Sequence, residues 1–296
     1  MKPFLLTHKY YMLILISMLI PLVFGLAWLS LLLTVPFLIM LTGIYLSKGQ
    51  VARFIIRLLT FIVYCIICRL YIFDIYQVNS GSMEGTLIKG DVLFVNKLAY
   101  GPRADATKNN GYTTIKHKDI FIYELFPDYF VVKRCIGLPG DNIRISSDTV
   151  FINNHFVSLP ENALSQYYLK FNSHSSIKAF VSSIPHSAID SINIDSNIII
   201  ANLAQQDLPN NALHIDQLPI RLLPGKTPYF QTINNLGPIK IPAHQYFMMG
   251  DNRPYSEDSR YLGLIPEKEI VGKVAFILYS YSEEGFVWNR LFKNIL

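Results

Sequence analysis

Tyr10 to Leu46 is a run of 37 residues with no Asp, Glu, Lys, Arg or His. As one helix it would be about 55 Å long, against a hydrocarbon core of about 30 Å. One straight span cannot use it all, so two short spans in a hairpin are expected, at about 10–25 and 28–46. Pro21, Gly25 and Pro36 offer the bends. A second apolar run, Phe54–Phe73, has the length of one span of about 20 residues. Arg57 and Arg69 lie near its ends, where long side chains can reach the interface. The first run is too long for a cleaved leader, and no small-x-small site follows it.

Charge agrees with a membrane anchor. The chain is 51% hydrophobic and 16% charged, where soluble domains average about 25% charged. Residues 1–73 hold six Lys and Arg and no Asp or Glu, whereas residues 74–296 hold 20 Lys and Arg against 21 Asp and Glu. The basic excess therefore sits in the apolar part, which disfavours a nucleic-acid partner and favours a lipid bilayer. Lys48, Arg53 and Arg57 cluster between the two runs, so that connection is expected on the cytoplasmic side. Everything after Asp74 is then exported. The anchor is expected over 1–73, multi-pass, and the exported domain over 74–296.

Cys65, Cys68 and Cys135 are the three cysteines, and only the last lies outside the apolar runs. No internal disulfide framework is possible in the exported part. Cys65-x-x-Cys68 has no His or further Cys near it and is read as small apolar residues on a membrane helix.

Past residue 74 the pattern becomes β. Val92–Val95, Asp119–Tyr123, Tyr129–Val132, Asn142–Ile145, Val150–Ile152 and Ile270–Tyr281 are short strand-like runs bounded by turn residues such as Lys89-Gly-Asp91 and Pro139-Gly-Asp141. No sustained helical period is visible there. Residues of about 160–240, rich in Ser, Asn and Pro, are read as an insertion of unassigned structure.

Three stretches can carry chemistry. In Ser80-Gly-Ser82-Met-Glu-Gly-Thr-Leu87 two serines flank a glycine just past the last apolar run. Ser and Gly favour a plain linker turn, and the order is not the Gly-x-Ser-x-Gly of a hydrolase elbow. In Tyr129-Phe-Val-Val-Lys133-Arg134-Cys135 two cations interrupt an apolar strand. Alternation turns one of them inward, and a desolvated Lys loses basicity and becomes a usable general base. In Gly250-Asp251-Asn252-Arg253-Pro-Tyr-Ser256-Glu-Asp258-Ser259-Arg260 charged and hydroxyl groups are dense enough for a supporting network, although a solvated polar loop has the same composition.

Together, and in this order behind a membrane anchor, the stretches resemble bacterial signal peptidase I, the leader peptidases with a Ser–Lys dyad. The family's Ser-Gly-Ser-Met segment is matched by Ser80–Met83, its Lys-Arg strand leading to Gly-x-Pro-Gly-Asp by Lys133–Asp141, and its Gly-Asp-Asn…Ser-x-Asp-Ser-Arg box by Gly250–Arg260. The match extends to Gly90-Asp91, Lys97, Tyr100-Gly101 and Val271-Gly-Lys273, roughly half of the exported domain. It departs at Asn79 and Gly85, where the family usually has Pro, and at Pro254 and Tyr255.

The resemblance implies a signal-peptidase-type β fold and a membrane-bound serine endopeptidase that removes signal peptides from exported preproteins. Ser82 would be the nucleophile and Lys133 the general base. The Ser80 hydroxyl and Ser82 N–H would form the oxyanion hole. Ser256 would orient the Lys133 amine, with Asp251, Arg253, Asp258 and Arg260 as the supporting charges. Tyr76, Val78, Met83, Leu87 and Val132 would line small apolar pockets for the substrate's −1 and −3 side chains. No metal or cofactor is implied. The place would be the bacterial inner membrane, with the catalytic domain on its outer face and the secretion translocon nearby. Two alternatives stand beside this: a related peptidase for a narrow set such as pilin or conjugation-type maturation, and a silent homologue that binds signal sequences.

Overall fold

The structure is a computed structural model that describes residues 27–47, 49–100, 114–146, 149–158, 160–185, 188–218 and 235–295. The expected span over about 10–25 lies outside these residues. The described chain divides into two compact units. One holds residues 27–74 and 97–100, and the other holds 75–96 and 114–295.

The first unit is a helical pair, α1 (Ala27–Leu46) and α2 (Gln50–Ile67). Gly43 on α1 faces Ile56 on α2, and the Tyr64 hydroxyl donates to the Leu33 carbonyl. A short π-helix, Cys68–Ile72, carries α2 onward, and Gln50–Ile72 is long and apolar enough to cross a membrane. Among the described residues it is the one such helix, and Leu33–Leu46 is a shorter apolar stretch. Phe54, Leu59 and Phe61 project from α2 with most of their surface uncovered. Beyond the helix, Lys97 bridges the Asp74 carboxylate at 2.8 Å and the Arg69 carbonyl at 2.8 Å.

The second unit is mostly β. The strands that position the site are β1 (Phe73–Gln77), β2 (Asp91–Asn96), β3 (Ile120–Phe126) and β4 (Tyr129–Gly137). A second set follows: β5 (Asn142–Ser146), β6 (Thr149–Ile152) and β7 (His155–Phe156). A third is formed by β8 (Leu164–Lys170), β9 (Ile189–Asn193), β10 (Ile198–Ala204) and β11 (His214–Gln217). The chain closes through β12 (Asn235–Lys240), β13 (Gln245–Met249), β14 (Ile265–Pro266) and the long β15 (Ile270–Ser282). The largest sheet runs β1-β2-β15-β3-β4-β13-β14. Smaller sheets run β12-β5-β6-β7 and β11-β8-β10-β9.

Each sheet has its own apolar cluster. Val78, Met83, Leu87, Leu93, Val95, Ile120, Ile122, Val274 and Ile277 pack under the first. Ile143, Ile145, Phe247 and Met249 pack under the second. Leu169, Phe171, Phe180, Ile199 and Leu203 pack under the third. Alternate residues of β6 and β8 are buried, which is the period-2 pattern of strands with one covered face.

Sequence reading found no helix beyond residue 74. The structure has α3 (His174–Ser183) and, among the described residues, a further single helical turn at Ser259–Leu262. The start of α3 is fixed locally: the Ser173 side chain accepts from the Ser176 N–H. Ile177 and Phe180, three apart, bury one face against the third sheet's cluster. Ten residues give that period too few repeats to stand out in a Ser-rich segment.

Gly85 is the tightest point of the fold near the serines. Its φ is +98°, and a Cβ there would lie 1.9 Å from the Asn162 carbonyl oxygen. Gly140 has a similar φ of +90° with nothing within 4 Å of such a Cβ. Gly140→Ala is therefore expected to cost about 1 kcal/mol from backbone conformation alone. Gly85→Ala should cost about 2–3 kcal/mol or more, because the backbone must also move. Thermal unfolding of the purified chain in detergent checks this: equal losses for the two variants would refute the close approach.

Candidate active site

The turn that carries Ser80 and Ser82 is held from below. Residues 78–90 form the loop between β1 and β2, closed by Val78 N–H to Asp91 C=O at 2.8 Å and Gly90 N–H to Val78 C=O at 2.9 Å. Met83 and Leu87, four apart, plug into the core, and the Leu87 N–H donates to the Met83 carbonyl at 2.8 Å. Two apolar anchors thus fix a turn whose Ser and Gly content would otherwise leave it mobile.

The register of the large sheet brings the other two stretches to this turn. In β4, Lys133 stands opposite Phe121 and Arg134 opposite Ile120 of β3. On the other side, Met249 of β13 stands opposite Arg134. Gly250 and Asp251 therefore emerge from β13 directly beside the Lys-Arg pair. Gly250 is required by closeness: a Cβ would meet the Ser82 carbonyl oxygen at 2.3 Å and Ser256 Oγ at 2.2 Å.

The Lys133 Nζ lies 2.6 Å from Ser82 Oγ. Both side chains are buried, Lys133 at 2% exposure and Ser82 at 8%. Ser80 Oγ, on the exposed side, is 3.3 Å from Ser82 Oγ. Burial penalises the Lys133 ammonium and brings its pKa down to about 8. The Asp258 carboxylate opposes this, the Arg260 guanidinium reinforces it, and Asp251 and Glu257 oppose it.

The supporting charges form two pairs. Arg260 grips Asp258 from Nε at 2.8 Å and from Nη2 at 2.8 Å, while the Gly250 N–H donates to Asp258 at 3.0 Å. Burial raises the Asp258 carboxyl, but Arg260 and these hydrogen bonds outweigh it and hold the group below its ordinary value. Asp251 is paired to Arg134, at 2.8 Å from Nε and 2.6 Å from Nη2, and accepts from Thr86 Oγ1 at 2.6 Å.

Several expectations are corrected here. Alternation suggested that one of Lys133 and Arg134 would be covered; both are, because the Asp251 loop closes over the opposite face of β4. Asp251 draws its Arg from that strand, so the charge network is not confined to the third stretch. Arg253 is buried with Nη1 2.9 Å from Met249 Sδ, and its carbonyl accepts from Arg260. Ser256 does not reach Lys133: its buried Oγ has no hydrogen-bond partner among the described residues and packs on Gly250. It lies close enough to Asp258 to favour that carboxylate, outside hydrogen-bond geometry. Of the five apolar residues expected to meet substrate, Tyr76 and Val132 keep accessible surface on the core cluster. Val78 is buried, and Met83 and Leu87 have 0% exposure, so they are floor rather than lining.

Sequence reading gave Asn252 no role and Arg134 no partner. The Asn252 N–H donates to the Ser82 carbonyl at 3.1 Å, and its Nδ2 donates to the Gly81 carbonyl at 3.0 Å. Two bonds from one residue thus fix the two peptide units that flank the Ser82 Cα. The signal was its place directly after Gly250-Asp251, but an Asn carries no charge to single it out.

Lys133 and Ser82 thus form a buried pair within the mostly β unit. The family model for signal peptidase, peptidase S26, matches residues 51–279. The chain belongs to the signal peptidase family, peptidase S26. It is 31% identical over 265 residues to signal peptidase I of Buchnera aphidicola subsp. Baizongia pistaciae, covering 85% of this chain and 84% of that one. It is 33% identical over 258 residues to signal peptidase I of Buchnera aphidicola subsp. Acyrthosiphon pisum, covering 82% and 78%. It is 29% identical over 247 residues to signal peptidase I T of Bacillus subtilis, covering 82% and 89%. The chain is thus a serine peptidase of signal-peptidase type, with a mostly β catalytic domain.

Asp251→Ala leaves the Arg134 guanidinium buried without its counter-charge. The expected loss is about 3–5 kcal/mol of unfolding free energy. Removing both charges, with Asp251→Leu and Arg134→Met together, should recover part of it. Denaturant unfolding of the two variants measures the difference, and a double variant no better than the single would refute the pairing.

Proposed function

We propose that this signal peptidase cleaves preproteins with Ser82 as nucleophile and Lys133 as general base. The 2.6 Å contact between Lys133 Nζ and Ser82 Oγ carries the proposal. The neutral amine takes the Ser82 hydroxyl proton as Oγ attacks the carbonyl of the −1 residue. Negative charge grows on that oxygen and is met by the Ser82 N–H and the Ser80 hydroxyl. The tetrahedral intermediate collapses, Lys133 returns the proton to the departing amine, and the mature protein leaves. Water, activated by the same amine, then frees the signal peptide from Ser82. Lys133 so fills the place that His holds in a Ser-His-Asp triad.

The remaining residues serve that pair. Asp258 with Arg260, Asp251 with Arg134, and the buried Arg253 and Ser256 fix the loop around the amine. Tyr76 and Val132 contact the −1 and −3 side chains, over a floor of Val78, Met83 and Leu87. The substrate lies extended along Tyr129–Lys133 of β4, the part whose edge β13 leaves unpaired, as an added strand. Residues 1–73 are the anchor, multi-pass, with spans at about 10–25, 28–46 and 54–73, and residues 74–296 are exported. The segment of about 160–240 is an inserted subdomain. The enzyme then sits in the bacterial inner membrane with its catalytic domain on the outer face, beside the translocon that delivers its preproteins. Gln50–Ile72 and the basic cluster Lys48, Arg53 and Arg57 support this orientation.

Two measurements test the proposal. The base must be neutral, so kcat/KM should fall as pH drops through about 8, where Lys133 gains a proton. Ser82→Ala, Lys133→Ala and Lys133→Arg should each abolish turnover, since an Arg cannot give up its proton. Near-native turnover by Lys133→Arg would remove Lys133 from the base role. For topology, protease added to spheroplasts should digest residues 114–295; protection from outside would overturn the orientation.

A further inference from the structure

Arg290 is remote in sequence from the three stretches that form the site, and the chemistry above makes no use of it. It lies in the short turn Trp288–Arg290 that follows β15. The turn is fastened to that strand before and after. The Val287 N–H donates to the Ser280 carbonyl at 3.0 Å, and the Phe292 N–H donates to the Leu278 carbonyl at 3.2 Å. Trp288 and Phe292 project outward, whereas Arg290 is turned inward and is only 9% exposed.

Its guanidinium grips the loop that carries Ser82. Nε donates to Asp91 Oδ1 at 2.7 Å, and Nη2 donates to Asp91 Oδ2. The same Nη2 donates to the Thr86 carbonyl at 3.0 Å. Asp91 is fully buried, and its Oδ2 also accepts the Ile88 N–H at 2.9 Å. One buried ion pair thus ties down Thr86 and Ile88, in the half of the loop that follows the nucleophile. A planar fork fixes geometry as well as supplying charge. A Lys could match the charge, but its single nitrogen could not span the carboxylate and the backbone carbonyl in the same way.

Thr86 passes the restraint on in two directions. Its N–H donates to the carbonyl of Met83, the residue after Ser82, at 3.1 Å. Its hydroxyl donates to Asp251 Oδ2 at 2.6 Å, on the carboxylate that Arg134 of β4 also holds. The three polar groups of Thr86 therefore join the Ser82 turn, the Asp251 loop and Arg290. A tether for the segment after β15 would need only the pair with Asp91; the bond to the Thr86 carbonyl is what reaches the catalytic loop. We propose that Arg290 is a positioning residue for the reaction, which holds Thr86 and Asp91 together and so keeps Ser82 Oγ against Lys133 Nζ. The proposal rests on Ser82 as nucleophile and deepens that reading: it gives the segment after β15 a part in catalysis.

The test is Arg290→Lys in the full chain in detergent, which keeps a cation opposite Asp91 and removes the fork. With a preprotein substrate, kcat should fall about ten-fold or more, since a misplacement of about 1 Å can cost about a hundred-fold. KM should hold, because the proposed substrate path along β4 does not include Arg290. Amide hydrogen exchange should quicken at Thr86 and Leu87, whose N–H groups both donate to the Met83 carbonyl, and stay unchanged along β15. If Arg290→Lys does not fold, the double variant Arg290→Gln with Asp91→Asn removes both buried charges and the fork, and is read in the same way. A native kcat would overturn the proposal. So would a loss carried by KM, or faster exchange spread along β15, since either would leave Arg290 a tether for its own segment. Failure of the nucleophile assignment looks different: Ser82→Ala would still cleave the preprotein.

Discussion

An ammonium group moved out of water gives up several kcal/mol of hydration, and the large sheet imposes that loss on Lys133. The residue stands on an apolar strand, with Phe121 across from it on β3 and the Ser82 turn closed over it. The charged state is disfavoured, and the neutral amine with its lone pair becomes well populated once pH reaches about 8. Carboxylates nearby could undo this, because Asp258, Asp251 and Glu257 all favour the ammonium. The two most deeply buried of these are each gripped by a guanidinium, Arg260 and Arg134. The ion pairs thus act at a distance: by cancelling negative charge, they preserve the effect of burial on Lys133.

That dependence explains why three stretches far apart in the chain form one site. The loop 78–90 delivers the serine, β4 delivers the lysine, and β13 delivers the loop that seals both. None suffices alone, because a lysine on an open strand would stay hydrated. Sheet order makes the assembly possible, since β4 lies between β3 and β13.

The strands and their turn boundaries were legible in the sequence because each is a short apolar run ended by Gly, Pro, Asn or Asp. β2, β3, β5, β6 and β15 fall where those runs lie. The residues that meet at the site were legible only through resemblance, as spacing says nothing of which loops touch. The partner of Asp251 was hidden because it depends on register: Arg134 faces it only because Met249 stands opposite Arg134. The burial of Met83 and Leu87 was equally hidden, since an apolar residue beside a nucleophile reads the same as floor or as lining. The third sheet was unreadable for a different reason. β9 has four of its five residues exposed, and α3 is too short to show a period.

Gly85 ties two distant parts of the sequence to each other. A proline holds φ near −65°, whereas this turn sits at +98° with the Asn162 carbonyl pressed against the glycine. A proline grafted in alone would meet both the wrong backbone and an occupied space. Positions 85 and 162 therefore constrain each other: any side chain at 85 needs the backbone at 162 to withdraw as well as a change of φ in its own turn.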